Sequence, residues 1–355
     1  MKALTFQDIR QVLPTDTADP DLLHATDAIV KVMASAVCGS DLHVWHGRET
    51  GLDKGTIMGH ELAGEVVAVG TSVKKLRVGQ RVVSPFTTNC GQCFYCKIGL
   101  TCRCEQGQLY GWRQNGHGLH GAQAQYVRVP LADTTLLPLD SHIDYETALL
   151  IGDVRATGYH CALQADIRPA GVYAVIGCGP VGLMAVLAAV EMGAQTVFAI
   201  DTVPERLSMS AYFGAKPLLA TADNGYKERI KEATQGRGVD AVLEAVGSSA
   251  TVKMAYELLR PGGIISSVGV HTCQQFAFSP IQAYDKNVTF KIGRAPVRPY
   301  MAELMNRSLQ SDIDITRIIT HRFSLQEGET AYSIFDNKEQ GCIKAVLLPF
   351  GKSKI

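Results

Sequence analysis

Residues 171–201, GVYAVIGCGPVGLMAVLAAVEMGAQTVFAID, constrain the fold more than any other stretch of the chain. A β-branched run, three glycines in G-x-G-x-x-G spacing, an apolar helix-forming segment and a second β-branched run ending on an acid follow one another without a break. Strands joined through a helix in this way are parallel, because the helix returns the chain to the end from which the first strand set out. Gly177 permits the tight turn, Gly179 lets the backbone approach a pyrophosphate, and Gly182 allows the helix to pack closely on the strand. The helix that opens at Pro180 and Val181 offers unpaired N–H groups and a partial positive charge to the phosphates. Asp201 stands where it accepts hydrogen bonds from the adenosine ribose, and its charge repels a 2′-phosphate, so NAD is expected rather than NADP. Arg206 works in the opposite direction, since a guanidinium can pair with that phosphate.

The same alternation continues downstream. Strands are predicted at AVLEAVG, GIISSVGV and VTFKIG, with helices at PERLSMSAYFG, YKERIKEAT and ATVKMAYELL. Val268 and Val270, at the end of GIISSVGV, are assigned to the cofactor site with the glycine loop. Residues before about 150 have a different texture: short β-branched runs such as AIVKVMAS, AGEVVAVG, QRVVSPF and AQYVRVP, separated by glycine, proline or polar turns. The tail after 290 reads as a helix, MAELMNRSLQ, and a strand, GCIKAVLLPF, that returns to the first domain. The expected organisation is a β-rich domain of residues 1–152 and 291–355 around a doubly wound α/β domain of residues 153–290. A chain of 355 residues is long enough for two cores.

The formal net charge is zero, which supplies no field to gather nucleic acid or acidic lipid. No window approaches the length of a membrane span, and MKALTFQDIR lacks the apolar core of a signal peptide. A cytoplasmic enzyme acting on a small molecule is the expectation. In that reducing setting ten cysteines point to metal or catalysis rather than disulfides.

Half of them fall in CGQCFYCKIGLTCRC, residues 90–104. Cys90, Cys93 and Cys96 follow C-x2-C spacing, and either Cys102 or Cys104 can supply a fourth thiolate to a tetrahedral zinc. A closed four-sulfur shell has no vacancy for substrate, so this metal is structural, holding a lobe too polar to fold by burial alone. An iron–sulfur cluster is the competing use of four thiolates. Elsewhere SAVCGSDLHVWHG supplies Cys38, MGHELAGEVVAVG supplies His60 and Glu61, and GDVRATGYH offers Asp153. Three protein ligands with an open fourth position are the catalytic zinc arrangement.

Taken together, CGSDLH, GHELAGEVVAVG, the cysteine lobe, GDVRATGY, GCGPVG, AID and GCIKAV make the chain resemble the zinc-containing medium-chain alcohol dehydrogenases over nearly its whole length. The resemblance implies a GroES-like catalytic domain, a Rossmann domain, two zincs per subunit and NAD(P)-linked interconversion of an alcohol and a carbonyl. It implies Cys38, His60 and Asp153 on the catalytic zinc and selects Cys90, Cys93, Cys96 and Cys104 for the structural one. The family's usual third catalytic ligand is a cysteine in many members; the acid here carries the same charge through a harder oxygen.

Further roles come from the same resemblance. Glu61 matches the acid that approaches the zinc during ligand exchange, and Asp41 the acid that orients the ligating imidazole. Ser40 and His43 match a proton relay from a zinc alkoxide to solvent. Thr157 and Val181 resemble residues on the far face of the nicotinamide, and Lys344 a basic residue near the cofactor phosphates. Trp45, Phe86, Trp112 and Ile151 suggest an apolar substrate pocket, while Cys161, Cys178, Cys273 and Cys342 read as small apolar fillers. A homotetramer is expected, with a homodimer as the alternative. Polyol and threonine dehydrogenases of the same superfamily, or a non-catalytic NAD-binding redox sensor, are the competing functions.

Overall fold

The computed structural model describes residues 1–351. It divides after Asp153 and before Pro296, so that Met1–Asp153 and Pro296–Ile355 form one unit and Val154–Ala295 the other. The sequence places these breaks before 153 and after 290. The observed breaks leave Asp153 in the first unit and keep the strand Thr289–Ile292 whole in the second.

The second unit is built on six strands: β1 (Val172–Ile176), β2 (Thr196–Asp201), β3 (Lys216–Leu219), β4 (Val239–Glu244), β5 (Leu259–Ser267) and β6 (Thr289–Ile292). Their order is β3-β2-β1-β4-β5-β6, and every pair is parallel. This is the doubly wound Rossmann order, with its topological switch between β1 and β4. The central strands are continuous apolar runs because helices cover both faces of such a sheet. Ala174, Ile176, Ile200, Val242 and Ile265 are all buried in one cluster, and each large aliphatic member stabilises the fold by about 1.5–3 kcal/mol.

β3 was not read from the sequence. Its residues, KPLL, are mostly exposed and contain a proline, which an edge strand tolerates and a central one does not. Gly177 has φ +86°, and a Cβ on Gly182 would lie 1.7 Å from the Gly177 carbonyl oxygen. The two glycines therefore let the loop double back on the first turn of the helix Pro180–Glu191.

The first unit is β-rich, in agreement with the GroES-like expectation. Its main sheet runs Ile319–Phe323, Lys344–Leu347, Ala28–Val37, Leu62–Val69, Arg81–Ser84, Leu137–Pro138, with Tyr126–Val129 also pairing with Ala28–Val37. The C-terminal strand does return to the N-terminal sheet: Lys344–Leu347 lies antiparallel to Ala28–Val37, with Ala345 opposite Val37. Leu62 lies opposite Ser35 on the other side of that strand. One register therefore brings the ends of three strands together, and with them Cys38, Glu61 and Lys344. The segment ETALLIGDVRATGYHCAL forms two helices, Tyr145–Ile151 and Val154–Gln164, separated by Gly152 and Asp153.

Candidate metal and nucleotide sites

Ligating atoms of Cys38, His60, Glu61 and Asp153 all lie within 4.8 Å of one another. Cys38 follows the strand Ala28–Val37, His60 and Glu61 precede Leu62–Val69, and Asp153 sits in the gap between two helices. The Cys38 sulfur is 3.7 Å from Asp153 Oδ2, and His60 Nε2 is 3.4 Å from the same oxygen. Donors on a tetrahedral zinc at about 2.0 Å for nitrogen or oxygen and about 2.3 Å for sulfur would be spaced about 3.3–3.5 Å apart, so the set fits that ion.

The electrostatics agree with the geometry. Burial raises the pKa of the Cys38 thiol, and the Asp153 carboxylate raises it further. Burial opposes a charge on His60, but the anions around it, Asp41 first and then Cys38, outweigh burial and hold its pKa well above the ordinary value. A buried pocket that concentrates negative donors in this way favours a cation, and a divalent ion entering it displaces protons. Glu61 Oε2 is buried and has no hydrogen-bond partner among the described residues, leaving a further anionic oxygen beside the set.

His60 is oriented from behind. Asp41 Oδ1 lies 3.1 Å from His60 Nδ1, which turns Nε2 toward Cys38 and Asp153. Asp41 is itself anchored, because Oδ2 accepts from the Cys38 N–H and from Gln123 Nε2. Gln123 in turn donates to the Ala36 carbonyl and accepts from the Tyr332 hydroxyl. The sequence reading missed Gln123 and Tyr332; the two glutamines of GAQAQYVRVP carry no spacing signal. Ser40 Oγ is 3.2 Å from His60 Nε2, while His43, on the short helix Asp41–Trp45, keeps a buried Nδ1 with no partner among the described residues. Burial, then Arg48 and His46, lower the His43 pKa, which favours the neutral imidazole.

Lys344 departs from expectation. Its side chain is wholly buried, and its ammonium donates to Glu61 Oε1 at 2.5 Å and to the Val37 carbonyl at 3.2 Å. The phosphate contact implied by resemblance gives way to an internal ion pair, because the strand register delivers Lys344 to Glu61.

The sulfurs of Cys90, Cys93, Cys96 and Cys104 form a second set within 4.8 Å of one another, and Cys102 is not part of it. Cys93 and Cys104 sulfurs are 3.9 Å apart, close to the roughly 3.8 Å that a tetrahedral four-sulfur zinc requires. Backbone N–H groups of Glu105 and then Cys96 point at the Cys93 sulfur and lower its pKa to about 6, into the range of a ready metal ligand. None of the ten cysteines is in a disulfide. Cys273, expected as a filler, is exposed, whereas Cys161, Cys178 and Cys342 are buried.

In the second unit, Asp201 ends β2 and accepts from the N–H groups of Cys178, Thr202 and Val203 at 2.6, 2.7 and 2.9 Å. Its carboxylate thus ties the glycine loop to the next turn, and three of its roughly four acceptor positions are taken. The Arg206 guanidinium lies beside Gly179, with Nε buried and unpartnered among the described residues. Val181 is in the first turn of Pro180–Glu191, Val268 and Val270 follow the end of β5, and Thr157 is buried in Val154–Gln164.

Residues 24–139 match the family model described as the alcohol dehydrogenase GroES-like domain, and residues 180–307 that of the zinc-binding dehydrogenases. Zinc-type alcohol dehydrogenase B of Aspergillus flavus is 38% identical over 343 residues, covering 95% of this chain and 79% of that protein. The chain belongs to the zinc-containing medium-chain alcohol dehydrogenase family. A solved structure, alcohol dehydrogenase TADH from Thermus sp. ATN1, superposes with a TM-score of 0.91 at 38% identity, covering 98% of this chain and 99% of that one. The NADP-dependent isopropanol dehydrogenase of Clostridium beijerinckii is 31% identical, covering 91% of this dehydrogenase and 93% of that one. This dehydrogenase is therefore an oxidoreductase of the zinc type, acting on a small molecule. Among the described residues no helix is long and apolar enough to cross a membrane.

Proposed function

We propose that the protein interconverts an alcohol and its aldehyde or ketone, with NAD as hydride carrier and two zinc ions per subunit. The convergence of Cys38, His60 and Asp153 carries this reading, supported by the second sulfur set at Cys90, Cys93, Cys96 and Cys104. When bound, the catalytic zinc acidifies the substrate hydroxyl and the nicotinamide takes the hydride.

The chain's own residues do the rest. Asp41 keeps His60 in the ligating tautomer, and Glu61, neutralised by Lys344, lends a second carboxylate beside the ligand set. Ser40, whose hydroxyl lies by His60, accepts the substrate proton as its own hydroxyl proton leaves toward neutral His43, which takes that proton up and releases it to solvent. Glycine-loop N–H groups and the helix starting at Pro180 hold the pyrophosphate, Asp201 the adenosine ribose, and Thr157, Val181, Val268 and Val270 the remainder of the cofactor. Asp201 favours NAD. The NADP-dependent relative and the position of Arg206 keep NADP as the second reading for the cofactor. The edge strand β6 at the end of the Rossmann sheet supports assembly into a homo-oligomer, a tetramer by preference.

The test couples metal analysis to an absorbance screen at the reduced nicotinamide band, over aliphatic, aromatic and cyclic alcohols with polyols and threonine included. About two zincs per subunit and NAD-linked turnover of aliphatic, aromatic or cyclic alcohols are expected. Turnover confined to polyols or threonine would move the substrate class, and no turnover with retained NAD binding would favour a redox sensor.

A further inference from the structure

A further cluster of titratable side chains lies in the second unit, and none of its residues belongs to either metal-ligand set. Glu244 ends β4 and is wholly buried. Its Oε1 accepts from the N–H groups of Val246 and Gly247 at 2.9 and 2.8 Å and lies 2.8 Å from the Thr251 hydroxyl. Its Oε2 accepts from the Ser267 hydroxyl at 2.6 Å. Ser267 ends β5, and its oxygen is also 2.7 Å from His271 Nε2.

The proton count fixes the imidazole. A serine hydroxyl has one hydrogen, and Ser267 gives it to the carboxylate, which can only accept. The bond to His271 must then run from Nε2–H to the serine oxygen. A neutral His271 is thereby held as the Nε2–H tautomer, and its Nδ1 is an acceptor with no partner among the described residues. The ring is part-exposed. A Cβ on Gly247 would lie 2.3 Å from the Val270 carbonyl oxygen, so the loops after β4 and β5 run backbone against backbone.

The sheet order says what this acceptor faces. Dinucleotides bind across the carboxyl ends of the strands, one mononucleotide to each half of the sheet. The glycine loop after β1 and the acid ending β2 belong to the adenosine half, and the loops after β4 and β5 to the other half. A lone acceptor there suits a neutral donor and repels phosphate oxygens.

We propose that His271 is a cofactor-binding residue that accepts, at Nδ1, a hydrogen bond from the nicotinamide nucleoside, with Glu244 and Ser267 as positioning residues that set its tautomer. This rests on the nicotinamide-dependent reading above. Two donors share that chemistry, a ribose hydroxyl and the carboxamide N–H.

The test is fluorescence or calorimetric titration of the zinc-loaded protein with NADH, NAD, the deamido analogue of NAD that carries a carboxylate in place of the amide, and AMP. His271→Ala should weaken NADH and NAD binding roughly 3- to 10-fold, the loss of one hydrogen bond of about 1 kcal/mol, and leave AMP within twofold. His271→Gln, which keeps an acceptor, should recover part of the loss, and Ser267→Ala should lose less than His271→Ala. Deamido-NAD binding that also weakens in His271→Ala assigns the ribose hydroxyl as donor; deamido-NAD binding that does not change assigns the carboxamide. Unchanged NAD and NADH binding in His271→Ala, or an equal loss for AMP, would overturn the proposal. Wild-type protein that binds neither NADH nor NADPH would overturn the nicotinamide reading itself.

Discussion

The ammonium of Lys344 lies 2.5 Å from Glu61 Oε1, and neither side chain has any exposed surface. Burial disfavours the lysine charge, yet the acidic groups around it, Glu61 first and then Cys38 and Asp153, together outweigh burial and raise the Lys344 pKa above its ordinary value. Removing one partner of such a pair leaves an uncompensated buried charge, which costs about 3–5 kcal/mol. Lys344→Met should accordingly lower the thermal midpoint by several degrees, more than Lys344→Arg. Equal midpoints for wild type and Lys344→Met would mean the pair is stability-neutral.

The two metal-ligand sets should come apart experimentally. Cys38→Ser is expected to leave one zinc per subunit, a folded protein and a kcat down roughly 10³-fold, the equivalent of about 4 kcal/mol of lost transition-state stabilisation. Cys96→Ser should remove the other zinc and lower the thermal midpoint, while Cys102→Ser keeps both metals. Elemental analysis alongside a thermal melt separates the three outcomes. Two zincs surviving in Cys38→Ser would break the catalytic assignment.

His160 gives a pH dependence of known sign. Burial lowers its pKa to about 4 in the folded chain, against about 6.5 when unfolded. Between those values the unfolded chain binds the extra proton, so His160 costs stability as pH falls from about 6.5 toward 4 and costs none above that window. The ceiling is roughly 3 kcal/mol. His160→Gln should flatten the difference between urea midpoints at pH 7 and pH 5 relative to wild type. Parallel pH profiles would mean that the folded chain takes up the proton freely.

Asp201 ties the glycine loop to the next turn, and the proposed function gives it recognition of the adenosine ribose as well. Asp201→Ala frees the Cys178, Thr202 and Val203 N–H groups and removes the charge opposing a 2′-phosphate. NAD affinity should fall about 10-fold, and the NADP-to-NAD preference should rise, drawing on Arg206. Side-by-side Michaelis constants measure both. A preference that does not move would mean Asp201 serves only to hold the loop.

What could be read from the sequence was whatever has a fixed spacing. The strand, glycine loop, helix, strand and acid of residues 171–201 follow from local rules, and all of them occur. Cys90, Cys93 and Cys96 sit within a single loop, so their spacing already implies their meeting. Cys38, His60 and Asp153 are far apart in the chain, and resemblance rather than periodicity suggested bringing them together. Other features have no local signature. The short strands Lys2–Asp8 and Gln11–Asp16 and the edge strand β3 lack a long apolar run. Arg155, next to GDV, reads as an ordinary charge; in the fold it is almost fully buried, with Nη2 donating to both oxygens of Glu191. Lys344 shows the same limit, since which strand lies beside Ala28–Val37 is decided by long-range register rather than by neighbouring residues.

The break after Asp153 has a practical side. Both sets of metal-ligating side chains come from one unit, although that unit is written in two separate pieces of chain. A graft exchanging only residues 154–295 for those of a relative would therefore replace the six-stranded parallel-sheet unit and leave both candidate metal-ligand sets native, whereas a cut one residue earlier would also exchange Asp153.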